Sequence, residues 1–217
     1  EARYLSSLQD VTWSVMNTRG NNWMEYSLRE PEALLQEAAT NLSAGGGTYL
    51  ADIGHPSGRL EPAVYDLFAR VNRRSLELEP HIRGVEPVPD VLVLHSADSV
   101  WSKTPCQPCP GWTPAPGYYS VCGAHKGLTE AHVQTVICNS DRLPDLLDEA
   151  GALVLPDQRI LSAREVESIR RFVGAGGGLL VFAGTGMRGA DNEPLPDFAL
   201  ADVLGVRCLG LTPYATS

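Results

Sequence analysis

Two groups of side chains in this 217-residue chain have the types and spacing to do chemistry. The first is Cys106, Cys109, Cys122 and His125, in the order Cys-x2-Cys-x12-Cys-x2-His. Two close ligand pairs, each on a tight turn, suit a tetrahedral Cys3His zinc site. The stretch PGWTPAPGYYSV between the pairs is too rich in proline and glycine to build its own core. A metal clip would order it against the entropy of loop closure. Such a closed site is structural, with no open position for catalysis. A Cys106–Cys109 disulfide, free thiols and a solvent-facing helical His125 are the alternatives at these positions.

The second group is Trp23, Glu25, Tyr26, Asp52 and His55, which follow two apolar runs closely. Ligands of parallel α/β folds meet the carboxyl ends of strands. Those positions here are Asn17, Thr18 and Arg19 after the first run, and Asp52, Gly54 and His55 after the second. Trp23 and Tyr26 offer flat faces for sugar C–H groups, and the polar members can bond hydroxyls. Glycoside hydrolysis usually takes two carboxylates across the scissile bond. Glu25 and Asp52 make the one plausible pair on these loops, but nothing in the sequence fixes their separation and neither is assigned as a nucleophile. The plainer reading has Trp23 and Tyr26 filling a gap, Asp52 capping a turn and Glu25 on the surface. His95, after VLVL, fits a ligand role or a satisfied turn; Cys208, in GVRCLGL, is expected to be packed.

Alternating strands and helices must position these residues. A strand is expected at Val11–Met16 and another at Tyr49–Ile53. Between them Pro31 opens a helix whose apolar face is Leu34, Leu35, Ala38, Ala39 and Leu42. Pro62 opens a second helix, with Val64, Leu67, Phe68 and Val71 inward. GVEPVPD, with two prolines and no periodicity, reads as a linker, dividing the chain into residues 1–86 and 87–217. Beyond it, Val91–Leu94 is a strand, His125–Val133 a helix, Val133–Ile137 extended and Leu143–Glu149 a short helix. Ala152–Pro156 is a buried strand, Ser162 and Glu165 form a capping box, and Val166, Ile169, Phe172 and Val173 are a helical stripe. Gly174–Gly178 stop that helix before a second buried strand at Leu179–Phe182. The fold class is parallel α/β.

Composition narrows the function. A formal charge of −9 opposes nucleic-acid binding, which needs a basic footprint. No apolar run approaches the roughly 20 residues that cross a bilayer. Five irregularly spaced cysteines and a start without a basic-then-apolar pattern fit a cytoplasmic protein better than a secreted disulfide scaffold. The glycines of GAGGGLLVFAGTG precede the strand, and no Lys-Ser/Thr pair follows, so they form no phosphate loop.

The run VLPDQRILSAREVESIRRFVGAGGGLLVFAGTG, with FALADVLGV at Phe198–Val206, resembles the trimerisation-type domain of β-galactosidase-like glycoside hydrolases, a relative of class I glutamine amidotransferases. The resemblance extends over Val91–Thr212. NNWMEYSLREPEALLQEAATNLSAGGGTYLADIGHPSGRLEPAVYDLFARV is similar to the last portion of the (β/α) barrel in α-L-fucosidase-like enzymes. These resemblances imply a flavodoxin-like three-layer domain after a partial (β/α) barrel segment. They also imply a piece of a longer fucoside- or galactoside-cleaving enzyme, with carbohydrate as substrate and a homo-oligomeric assembly. The alternative is a free-standing amidotransferase-like binding module with a zinc-stapled loop. An active amidase needs a cysteine on a glycine-flanked strand-to-helix turn beside a histidine base. The turn AGTGMRG keeps glycines and has no cysteine; Ala183–Thr185 stand where the nucleophile would be. Cys138, in VICNSD, lacks the flanking glycines, and the last histidine is His132. This half of the chain is expected to be non-catalytic.

Overall fold

The computed structural model describes residues 2–8, 10–20, 27–84, 86–101, 116–182 and 184–210. The chain divides into two compact units, Glu1–Pro87 and Val88–Ser217.

The first unit runs α1 (Ala2–Leu5), β1 (Ser14–Thr18), α2 (Pro31–Ser43), β2 (Gly47–Ala51) and α3 (Pro62–Ile82). β1 and β2 pair in parallel, from Ser14↔Gly47 to Thr18↔Ala51. Both long helices begin at a proline, whose missing N–H has no partner to lose in a first turn. Leu34 and Ala38 of α2 bury against Val64, Leu67, Phe68 and Val71 of α3. The expected α2 face is corrected: Leu34 and Ala38 are buried, Leu35, Ala39 and Leu42 are only half-buried, and Asn41 is buried. Asn41 Nδ2 donates to Asn17 Oδ1 and to Thr48 Oγ1, both at 3.3 Å, which satisfies its amide inside the unit. The strands are offset from the apolar runs because pairing sets their ends. Gly47 N–H donates to Trp13 O at 2.9 Å, and Arg19 N–H donates to Ala51 O at 3.2 Å. Met16 and Tyr49, partners in the register, are exposed on the face away from this core.

The second unit runs β3 (Val91–Leu94), α4 (Ala97–Trp101), α5 (Pro116–Glu130), β4 (Thr135–Cys138), α6 (Leu143–Leu147), β5 (Ala152–Pro156), α7 (Ala163–Gly174), β6 (Gly178–Phe182) and α8 (Ala201–Leu204). Its strands are all parallel, in the order β4-β3-β5-β6. Counted within the unit this is second, first, third, fourth, the flavodoxin-like arrangement. Side chains alternate across a strand, so Leu92, Leu94, Leu153 and Leu155 share one face. They pack with Leu143, Leu146, Val166, Ile169 and Leu200 from α6, α7 and the start of α8. α5 lies against β3, β4 and β5 on the Val93 and Val154 side, which completes three layers.

The α7 capping box is formed as the spacing predicts. Ser162 Oγ accepts Glu165 N–H at 3.2 Å, and Glu165 Oε2 accepts Ser162 N–H at 2.6 Å. After the helix Gly176 has φ +100°, which favours glycine, and a Cβ on Gly177 would lie 2.4 Å from the Phe172 ring, so a side chain there would have to displace that ring. Two expectations are corrected. α5 starts at Pro116, nine residues before His125, because proline suits a first turn; it ends before His132, whose φ of +59° turns the chain toward β4. β6 is not a two-sided buried strand: it is the sheet edge, and Leu180 and Phe182 are 51% and 47% exposed. An apolar run records that a strand can be covered, not that anything covers it.

Urea unfolding should separate these positions. Ile169→Ala should cost about 2–5 kcal/mol and Ser162→Ala about 1 kcal/mol. Leu180→Thr should stay within about 0.5 kcal/mol.

Candidate functional site

Parallel register puts Arg19 and Asp52 side by side, each one residue past the last ladder pair Thr18↔Ala51. Arg19 Nε lies 3.1 Å from Asp52 Oδ1, and the side chains are only 14% and 7% exposed. The two atoms are not aligned as a hydrogen bond, so the contact is Coulombic and Asp52 Oδ1 has no hydrogen-bond donor among the described residues. Ser27 Oγ is likewise buried without a partner among them. Both residues line a cavity of about 640 Å³, together with Arg19, His55, Leu28 and Glu61. A native structure rarely leaves such groups unpaired unless something else bonds them. Both atoms are themselves almost wholly withdrawn from solvent, as are Ser96 Oγ and Ser140 Oγ of the second unit, also unpaired among the described residues.

His55 is exposed at the rim. Its Nδ1 accepts Ser57 N–H at 3.1 Å and lies 2.7 Å from Ser57 Oγ. With Nδ1 committed as an acceptor, the neutral ring carries its proton on Nε2 and presents a donor. Asp52 and His55, expected at the second strand's end, are thus brought together with Arg19. Asn17 is not: it lies inside β1, bonded to Glu37 and to Asn41. Trp23, Glu25 and Tyr26 lie outside the described residues. The described residues on either side of them are bonded. Thr18 Oγ1 donates to Gly20 O at 2.6 Å, and Arg29 N–H donates to Arg19 O at 2.7 Å. The Arg29 guanidinium grips both carboxylate oxygens of Glu37, and that hydrogen bonding raises its pKa above the usual arginine value. Sequence reasoning missed Ser27, Leu28 and Glu61, none of which stands out by type.

In the second unit the ordinary ligand position is the crevice at the carboxyl ends of β3 and β5, where the strand order reverses. Gln158 bridges it. Gln158, fully buried, accepts Ser96 N–H on Oε1 at 2.8 Å and donates from Nε2 to Pro156 O at 2.8 Å. Its own N–H donates to Thr185 Oγ1 at 3.0 Å, and that hydroxyl faces Leu155 O and Phe182 O at 3.1 and 2.8 Å. Thr185 thus points inward from the turn where an amidase would carry its nucleophile; Ala183 lies outside the described residues. Cys138 is fully buried, and desolvation first, then Glu165, pushes its thiol up to about 12. A thiolate nucleophile does not form there at neutral pH. Burial lowers the His95 pKa below the usual imidazole value. Cys208, expected to be packed, is half-buried.

Cys122 and His125 are three apart within α5 and so share one side of it. They sit mid-helix, which corrects the expectation that the stretch up to Val121 is loop throughout. Cys106 and Cys109 lie outside the described residues. One feature was not anticipated: an apolar groove of about 540 Å³ between α5 and the β5–β6 side of the sheet, lined by Leu128, Val154, Pro156, Leu180 and Phe182. Gly123 and Gly127, a helical turn apart on α5, make its room. Among the described residues no helix is long and apolar enough to cross a membrane.

No protein-family model matches the sequence, and no curated protein matches it. Solved structures do. A β-galactosidase from Bacillus circulans sp. alkalophilus has a TM-score of 0.73 at 17% identity, over 93% of this chain and 33% of that one. The α-L-fucosidase isoenzyme 2 from Paenibacillus thiaminolyticus has a TM-score of 0.68 at 20% identity, over 98% and 30%. A β-galactosidase from the Antarctic haloarchaeon Halorubrum lacusprofundi has 0.68 at 20%, over 95% and 32%. The chain shares its fold with these glycoside hydrolases. It spans about a third of their length.

Thiol labelling checks the chemistry of the second unit. At pH 8 native Cys138 should resist iodoacetamide for as long as the fold persists, while half-buried Cys122 and Cys208 react; rapid native alkylation of Cys138 would contradict its burial.

Proposed function

We propose that this chain is part of a carbohydrate-active enzyme that cleaves fucosides or galactosides. In this reading Glu1–Pro87 supplies strand-end loops of a (β/α) barrel, and Val88–Ser217 serves homo-oligomeric assembly without chemistry of its own. The observation that carries it is the cavity of about 640 Å³ at the carboxyl ends of β1 and β2, lined by Arg19, Ser27, Asp52, His55 and Glu61. The shared fold with β-galactosidases and an α-L-fucosidase across both units supports the same reading.

Within it Asp52 accepts a sugar hydroxyl, His55 Nε2–H donates to one, and Trp23 and Tyr26 stack on the ring, with Glu25 beside them. No residue of this chain is assigned as nucleophile or general acid. Asp52, held against Arg19, is suited to binding, and the second carboxylate of a hydrolytic pair is assigned to residues outside this chain. The bridged crevice and the inert Cys138 support a silent second unit.

The 217-residue chain should bind D-galactose or L-fucose in the millimolar range, read by intrinsic fluorescence. His55→Ala should weaken that about tenfold, the worth of one good hydrogen bond. Nitrophenyl galactosides and fucosides should not turn over; hydrolysis lost in Asp52→Asn would instead place catalysis in this chain. The zinc clip of Cys106, Cys109, Cys122 and His125 belongs to the same proposal. Elemental analysis should find stoichiometric zinc, and EDTA should lower the melting temperature; unchanged melting with no zinc would remove it.

A further inference from the structure

Resting on the sugar-binding reading, we propose that Glu37 of α2 is a positioning residue. From outside the β1–β2 cavity it fixes, through Arg29, where the wall formed by Arg19, Ser27 and Leu28 stands. That wall is two stretches of chain that meet at one backbone bond. Arg19 leaves β1 with its N–H on Ala51 O at 3.2 Å, and its own carbonyl accepts Arg29 N–H at 2.7 Å. Ser27 and Leu28, which directly precede Arg29, line the cavity together with Arg19. A displacement of Arg29 is therefore felt on both sides of that bond. Glu37 itself is not among the described lining residues.

Arg29 is held in place by its side chain. The guanidinium side chain is only 17% exposed, and it donates to both Glu37 oxygens, from Nη1 at 2.8 Å and from Nη2. A two-pronged pair of this kind fixes orientation as well as distance. Glu37 is in turn anchored from the buried side. Asn17 Nδ2 donates to its Oε2, and Asn17 Oδ1 accepts Asn41 Nδ2, which also donates to Thr48 Oγ1. Asn17 and Asn41 are both buried, so the carboxylate is tied at once to β1, β2 and α2. Without the Glu37 charge, a guanidinium this far withdrawn from water loses its ion-pair partner, and turning outward relieves it. That turn pulls on the Arg29–Arg19 backbone bond and on Ser27 and Leu28 beside it.

The test reads wall position and binding separately, on the full chain at pH 7.5. In amide-resolved NMR without ligand, Glu37→Gln should shift the Arg19, Ser27 and Leu28 signals and leave Leu67 and Val71 of α3 in place. Titrated with D-galactose, the same variant should bind about fivefold more weakly than the wild type, or worse. Arg29→Lys keeps the charge and loses the two-pronged grip, so it should also shift Arg19 and Ser27; it decides the matter if Glu37→Gln fails to fold. Glu32→Gln removes an exposed ion pair of the same helix, with Arg70 at 3.6 Å, and should change neither reading. Unmoved Arg19 and Ser27 signals in the folded variants would overturn the proposal. Shifts spread equally to Leu67 and Val71 would make Glu37 a general stabiliser and overturn it too. Shifted wall signals with unchanged galactose affinity would overturn its part in binding and leave the sugar site standing. If the wild type binds no galactose, the sugar-binding reading falls, and the wall signals alone decide whether Glu37 sets the wall.

Discussion

Parallel pairing is the constraint on which the rest depends. Among the described residues every strand pair in both units is parallel, so consecutive strands are joined through a crossover and their carboxyl ends gather on one edge of each sheet. Chemistry can then collect only on that edge, from residues that follow strands. In the first unit the register Thr18↔Ala51 makes Arg19 and Asp52 neighbours without any further device. In the second, β3 and β5 bring Ser96 and Gln158 together in the same way.

The two edges then part company. Beyond β1 and β2, Ser27, Asp52 and His55 line a cavity of about 640 Å³. Beyond β3 and β5 Gln158 and Thr185 bond one another and the neighbouring backbone, so the crevice is bridged. Satisfaction alone does not separate the edges, since Ser96 Oγ past β3 and Ser140 Oγ past β4 are also buried without a hydrogen-bond partner among the described residues. The difference is the glutamine that bridges β3 and β5. Each hydrogen bond of that bridge stabilises its unit by about 1 kcal/mol.

Much of this was legible from local signals. The capping box at Ser162 and Glu165, the stripe of α3 and the bounds of β5 follow from spacing alone, because each is decided within one helical turn or one short apolar run. Asp52 and His55 were legible as strand-end residues. What was not legible depends on partners distant in sequence. Nothing local tells that β6 is an edge, that Asn41 rather than Leu42 faces inward, or that Arg19 meets Asp52. Ser27 is a common residue in an irregular stretch, and only the cavity around it gives it meaning. The apolar groove beside α5 escaped for the same reason, since two glycines on a helix signal space only once a sheet lies opposite.

The central claim is that the carboxyl edge of the first unit receives ligand and that of the second does not. Amide-resolved NMR of the labelled 217-residue chain titrated with D-galactose tests it most directly. The account predicts shifts that saturate together at Arg19, Ser27, Asp52 and His55, with Ser96, Gln158 and Thr185 unmoved. Saturable shifts centred on Ser96, Gln158 and Thr185, or none near Asp52, would contradict it.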